Sequence, residues 1–105
     1  MSLSITSSRQ NGSLTVTLAG EIDLLTVPGL NAELADAAAD DSITKIRVDL
    51  CGVTFTDSTG IGSLVAGKQL ATESGKQYDV VAARDVIRRV LDLTGVWTYL
   101  SSSSD

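Results

Sequence analysis

Asp57, Ser58, Thr59 and Gly60 stand in a row, followed by Ile61 and Gly62, where an alternating run of residues gives way to a helical one. Two hydroxyls beside a carboxylate, with glycines close behind, admit four kinds of chemistry. The stretch could cradle a phosphate, present a nucleophile, accept a modification, or simply cap a helix. A G-x-x-x-x-G-K-[ST] cradle needs a Lys directly after its second Gly. Here Ser63 and Leu64 follow Gly62, and Lys68 comes too late. The G-x-G-x-x-G pattern fails as well, because Val65 stands where its third Gly belongs. A nucleophile elbow needs G-x-S-x-G, and Thr56 occupies its first position.

The chain contains no His, so a Ser-His-Asp triad is impossible and a zinc site has lost its usual ligands. The single Cys51 forms no internal disulfide and no cysteine metal cluster. Asp23 and Asp57 stay open as an acid–base pair. Yet 105 residues with few aromatics leave little room for a substrate cleft. The expectation is a protein that is not an enzyme and carries no cofactor or metal.

Two readings of 57–60 survive. As a cap, Asp57 or Ser58 accepts backbone N–H groups at a helix start, and small residues at 60, 62, 63, 66 and 67 let that helix lie close to a sheet. As a modification site, Ser58 would carry a phosphate at a helix N-terminus, where free N–H groups and the macrodipole favour an anion. Asp57 beside it would concentrate like charge at one point, so a partner surface would change sharply while the fold survives.

The surrounding pattern sets what must position these residues. Residues 3–7 and 14–18 alternate as half-buried strands, and Asn11-Gly12 between them signals a hairpin. Residues 27–39 are predicted as a helix with Thr26 as cap, Pro28 in the first turn, and an apolar face of Val27, Leu30, Leu34, Ala37 and Ala38. A strand over 45–50 leads to a helix over 58–73 with Ile61, Leu64, Val65 and Leu70 as apolar positions. A strand is predicted over 78–83. A helix over 85–94 follows, with Asp85 as cap, Val86, Ile87, Val90, Leu91 and Leu93 buried, and Gly95 as stop. Residues 96–100 are predicted as a short strand, and the Ser-rich residues 101–105 as a disordered tail. Alternating strands and helices after residue 22 imply parallel pairing in an α/β fold, one domain over residues 1–100.

Net charge is −5, which argues against nucleic acid as partner. Residues 21–41 hold Glu21, Asp23, Glu33, Asp36, Asp40 and Asp41 with no Lys or Arg, an acidic surface that is either a solvated helix face or a recognition surface for a basic partner. No signal peptide and no membrane-spanning apolar run is found, so a cytoplasmic protein without membrane contact is expected. Cys51, Trp97 and Tyr99 read as packing residues, and Arg88 and Arg89 as a solvated helix face.

Three segments together resemble the STAS family, in particular the small anti-sigma factor antagonists (anti-anti-sigma factors). "LAGEIDLLTVPGL" (18–30) is similar to the family's G-E-[LI]-D segment, "VDLCGVTFTDSTGIGSLV" (48–65) to its D-S-[ST]-G-[LIM]-[GA] signature, and "RRVLDLTGVW" (88–97) to its final helix. The resemblance implies a STAS fold: a small mixed β-sheet, first strands antiparallel and later ones parallel, with helices packed largely on one face. It implies that Ser58 is phosphorylated by an anti-sigma factor that is itself a serine kinase, and dephosphorylated by a metal-dependent serine phosphatase. The unphosphorylated form would bind the kinase and release a sigma factor. Asp23, facing the start of the Ser58 helix, and Asp57 would shape the kinase contact; Thr59 and Gly60 are expected beside them as partner-binding residues, and the acidic first helix, through Glu33 and Asp36, is expected to border the contact. The alternative within the family is a constitutive scaffold, or a subunit of a lipid-transport or stressosome-like complex.

Overall fold

The computed structural model describes residues 2–101. Its elements are β1 (Leu3–Gln10), β2 (Ser13–Ile22), α1 (Val27–Ala39), β3 (Lys45–Thr56), α2 (Ser58–Glu73), β4 (Gln77–Val81), α3 (Asp85–Leu93) and α4 (Val96–Ser101). The strands form one sheet in the order β1-β2-β3-β4. Asn11 (φ 51°) and Gly12 (φ 83°) both adopt the left-handed region, which folds β1 back on β2 as an antiparallel hairpin. β2 then pairs with β3, and β3 with β4, in parallel, each pair joined through a helix.

One face of the sheet is apolar. Leu14, Val16 and Leu18 of β2, Ile46, Val48 and Leu50 of β3, and Tyr78 and Val80 of β4 pack in one core with Leu30 and Leu34 of α1, Leu64 and Ala71 of α2, Ile87 and Leu91 of α3, and Leu100 of α4. The helices therefore share that face, and the alternate residues Thr17, Ala19, Arg47 and Gln77 point to solvent. Among the described residues no helix is long and apolar enough to cross a membrane.

Several predicted details differ. β3 runs on to Thr56, because Gly52 does not break the strand. It lies so close to β2 that a Cβ there would be 2.8 Å from the Cβ of Ala19, and the β2–β3 register shifts around it. β4 stops at Val81, where Ala82 turns to φ 65°. Residues 96–101 form a helix instead of a strand. Gly95 (φ 74°) ends α3, and Val96, Trp97 and Leu100 then face the core with helical spacing. Ser101 closes α4, and the rest of the predicted tail lies outside the described residues. Thr26 and Asp85 make no side-chain cap, and Asp85 sits inside α3 with φ 52°. Leu70, Val86 and Leu93, expected inside, are exposed.

The α2 stripe that faces inward is made of small residues: Gly60, Ser63, Leu64, Gly67 and Ala71. A Cβ on Gly67 would lie 2.8 Å from Leu34 Cδ1 and 2.9 Å from Tyr78 Oη, so the helix rests directly on both neighbours. That Tyr78 hydroxyl is itself held, donating to the Leu64 carbonyl at 2.8 Å, and burial pushes the phenol pKa up. Gly62 meets nothing within 4 Å. The two glycines should therefore respond oppositely to the same change. Gly62→Ala should stabilise by about 0.5–1 kcal/mol through helix propensity alone. Gly67→Ala should destabilise, since overpacking typically costs about 1–3 kcal/mol and outweighs that gain. Denaturant midpoints moving in the same direction for both variants would contradict this packing.

Candidate functional site

Parallel pairing brings the C-terminal ends of β2 and β3 out at the same edge of the sheet, where α/β proteins commonly place their sites. The turn 23–26 leaves β2 there, and Asp57 leaves β3. The two are stitched together: the Asp57 N–H donates to the Ile22 carbonyl at 3.3 Å. Gly60 closes the seam. A Cβ at that position would lie 2.2 Å from Thr56 Oγ1, 2.7 Å from Ile22 Cγ2 and 3.1 Å from the Ile22 carbonyl oxygen, so only glycine lets α2 begin this close to the sheet.

Asp57 is the N-cap of α2. Its Oδ1 accepts the Gly60 N–H at 3.0 Å and the Thr59 hydroxyl at 2.5 Å. These bonds, the Thr59 hydroxyl first and the Gly60 N–H second, hold the Asp57 carboxyl below the ordinary value of 3.8. Ser58 lies between, exposed, and its hydroxyl has no hydrogen-bond partner among the described residues. The capping and modification readings are thus compatible, because the cap is Asp57 and the free hydroxyl is Ser58.

Asp23 is only 8% exposed. Its Oδ1 accepts the N–H groups of Leu25 (3.0 Å) and Thr26 (3.1 Å), and its own N–H donates to Thr26 Oγ1 at 2.9 Å. The Thr26 hydroxyl in turn donates to the Glu21 carbonyl at 2.9 Å, which is why it does not cap α1. Asp23 therefore organises its turn from beneath the surface, and what the turn presents is Leu24 and Leu25, 70% and 78% exposed. Phe55, at the end of β3 and paired with Glu21, is exposed as well. These three apolar side chains were not singled out in the sequence. The available signal was a Leu-Leu pair after Asp23 and before Pro28, apolar residues in a turn that no core requires.

The structure brings Asp23, Asp57, Ser58, Thr59 and Gly60 to one edge, with Asp23 and Gly60 below the surface. It does not bring Glu33 and Asp36 there. Asn31 of α1 faces α2 and receives a hydrogen bond from the buried Ser63 hydroxyl, whereas Glu33 accepts from Ser7 of β1 at 2.5 Å. Residues two apart on a helix point about 200° apart, so Glu33 lies on the opposite flank. Asp36 shares with Glu33 a shallow hollow bounded by Ser7 and Arg9. The acidic face is also partly neutralised, since Arg9 pairs with Asp40 at 2.8 Å. Together with the Ser42 hydrogen bonds, the largest cause, that pairing lowers the Asp40 pKa to about 2.

A family model described as Mlab, STAS domain, matches residues 5–101. The chain belongs to the STAS domain family. The anti-sigma-F factor antagonist RsfB of Mycobacterium tuberculosis is similar to it, 34% identical over 95 residues that span 90% of this chain and 76% of that one. The crystal structure of an anti-sigma factor antagonist from Mycobacterium paratuberculosis matches with a TM-score of 0.83 at 29% identity, covering 94% of this chain and 83% of that one. The Bacillus cell fate determinant SpoIIAA in its phosphorylated form shares the fold, with a TM-score of 0.72 at 18% identity over 89% of this chain and 85% of that one. The STAS domain described here thus stands among anti-sigma factor antagonists, and its mixed sheet is theirs.

The Asp57 bonds can be tested directly. Because its folded pKa lies below the ordinary 3.8, Asp57 contributes stability that is present above that pH and lost as pH falls through the folded value. Carboxyl-detected NMR should place the Asp57 midpoint below 3.8. Thr59→Val should raise it towards the ordinary value, with the Gly60 N–H retaining part of the shift. A midpoint that Thr59→Val leaves unmoved would show that the hydroxyl bond is not its main cause.

Proposed function

We propose that this STAS domain is a phosphorylation-switched anti-sigma factor antagonist. In its unphosphorylated form it binds an anti-sigma factor that is also a serine kinase, and so frees a sigma factor in the cytoplasm. The observation that carries the reading is the exposed Ser58 hydroxyl at the start of α2, unbonded among the described residues, at the strand ends where the turn after β2 also exposes Leu24 and Leu25 and the end of β3 exposes Phe55. The names of the similar proteins support the class of partner, and the phosphorylated SpoIIAA supports a phosphate on this fold. The domain acts as the substrate of a kinase and of a metal-dependent serine phosphatase. Among the described residues no side chain hydrogen-bonds to the Ser58 hydroxyl, so none is placed to activate it.

In the free domain a phosphate on Ser58 would sit at the N-terminus of a 16-residue helix, where the macrodipole and free N–H groups tolerate it. In the complex it would bring roughly −1.5 to −2 charges beside Asp57 into an edge that also exposes Leu24, Leu25 and Phe55. Desolvating that charge costs more than the helix end returns. Glu33 and Asp36, on the far flank of α1, would act through the field of the domain, steering a basic partner.

Incubation with the cognate kinase and ATP should add one phosphate, located at Ser58 by peptide mass spectrometry. Calorimetry should then give a penalty of about 3 kcal/mol for the phosphorylated form, roughly 150-fold in affinity. Ser58→Ala should bind constitutively, and circular dichroism should show all forms folded. Equal binding by the phosphorylated domain and Ser58→Ala would overturn the switch and favour a constitutive STAS scaffold.

A further inference from the structure

Two hydroxyls stand side by side at the start of α2, both exposed, and a kinase that reaches one could reach the other. They are not equivalent. The Thr59 hydroxyl donates to Asp57 Oδ1, and that oxygen is itself fixed by the Gly60 N–H. Gly60 cannot shift, because it is pressed onto Ile22 and Thr56. The Ser58 hydroxyl has no such tie. We propose that Asp57 is the specificity-determining residue of the phosphorylation site: by holding the Thr59 hydroxyl it leaves Ser58 as the sole acceptor. This rests on the reading of Ser58 as a phosphoacceptor, and it adds the residue that decides between neighbours.

The chemistry favours that outcome. In the transfer, a hydroxyl oxygen forms a bond to the γ-phosphorus of ATP, the bond from that phosphorus to the bridging oxygen breaks, and ADP leaves. The hydroxyl proton passes to a base on the kinase. At Ser58 the proton and both lone pairs are free for this. At Thr59 the proton is already engaged with Asp57, and the kinase would first have to break that bond. The product would then set a phosphate against a carboxylate oxygen that had lain 2.5 Å from the hydroxyl, two like charges in contact at the first turn of the helix. Asp57 does not serve as an activating base for Thr59 either, because the bonds that fix it also make it a weaker base than a free carboxylate.

The test removes Ser58 and asks where phosphate goes. With the cognate kinase and ATP, Ser58→Ala should remain unlabelled over a time that fully labels the wild type. Ser58→Ala/Asp57→Ala should take phosphate on Thr59 at least tenfold faster than Ser58→Ala alone, read by peptide mass spectrometry. Ser58→Ala/Asp57→Asn keeps an acceptor oxygen and should label Thr59 more slowly than the alanine version. A merely structural role for Asp57 would not move phosphate from one residue to another. The inference is overturned if Ser58→Ala with Asp57 intact is labelled on Thr59 as fast as the double variant. It is equally overturned if the double variant, folded by circular dichroism, takes no phosphate on Thr59. An arm without kinase keeps the two readings apart. Hydroxyl-proton NMR at low temperature should detect a slowly exchanging Thr59 proton that Asp57→Ala abolishes, while the Ser58 proton exchanges with water. If wild type accepts no phosphate, the proposed function fails and this arm alone decides the lock. Equal, fast exchange at both hydroxyls would overturn it.

Discussion

Everything at the candidate site depends on how closely α2 can start against the end of β2. The contact is Gly60 on Ile22 and Thr56, and it leaves no room for a single additional carbon. It exists because β2 and β3 are parallel neighbours, so that the turn after one and the helix after the other emerge together. The same closeness continues along the helix through Gly67 on Leu34 and Tyr78 and through buried Ala71. A helix with larger residues at these places would stand off from the sheet, and the Asp57 N–H could not reach the Ile22 carbonyl. The glycines that first suggest a phosphate cradle are thus divided: Gly60 and Gly67 are required by packing, and Gly62 faces open space.

The second constraint is how the two carboxylates use their charge. Asp23 and Asp57 both accept backbone N–H groups at the first turn after a strand. Each is committed to local geometry, so the edge they organise is less acidic in its outward character than its residue count suggests. What it shows to solvent includes Leu24, Leu25 and Phe55 beside the exposed hydroxyls of Ser58 and Thr59. A phosphate placed there alters an apolar surface, which is a larger change than adding charge to an already acidic one. Under the proposed function the cost to a partner would be the desolvation of that phosphate, and desolvation penalties fall off far less with salt than exposed charge pairs do.

Much of this was legible in the sequence where local chemistry decides the outcome. Asn11-Gly12 marked the hairpin, Pro28 the start of α1, and Asp57 the start of α2. The place of Ser58 at the first position of α2 was legible for the same reason. What escaped depends on partners distant in sequence. β3 continues through Gly52 because its missing side chain makes room for Ala19 of β2, and nothing in residues 45–56 announces that. Val96–Ser101 are strand-formers by type, yet after Gly95 they meet α2 and β4 from above, where Lys68 bonds the Tyr99 carbonyl and covers its ring at 4.5 Å. Arg88 likewise lies over Trp97 at 4.3 Å, so a residue read as merely solvated helps seat α4. For Asp23, residue type alone could not separate a turn-former from a surface charge; only burial does. The acidic run of 21–41 looked uniform because Arg9, which neutralises part of it, lies on β1.

The way α2 is pinned also limits how a modification at Ser58 can be read by anything else. A switch that works by moving a helix needs two packings of similar energy. Here the helix is held by Gly60 at its first turn, by the Ser63 bond to Asn31 and the Tyr78 bond to the Leu64 carbonyl in its middle, and by Gly67 and Ala71 beyond. Sliding it by even a fraction of a turn would drive Leu34 and Tyr78 out of the space that Gly67 leaves them. A phosphate on Ser58 therefore has no bistable element to bias within the domain. Under the proposed function, its effect would fall on the surface that carries it and not on the packing beneath. The fold therefore offers a rigid mount at the start of α2, where Asp57, Thr59 and Gly60 are bonded to one another and the Ser58 hydroxyl has no partner among the described residues.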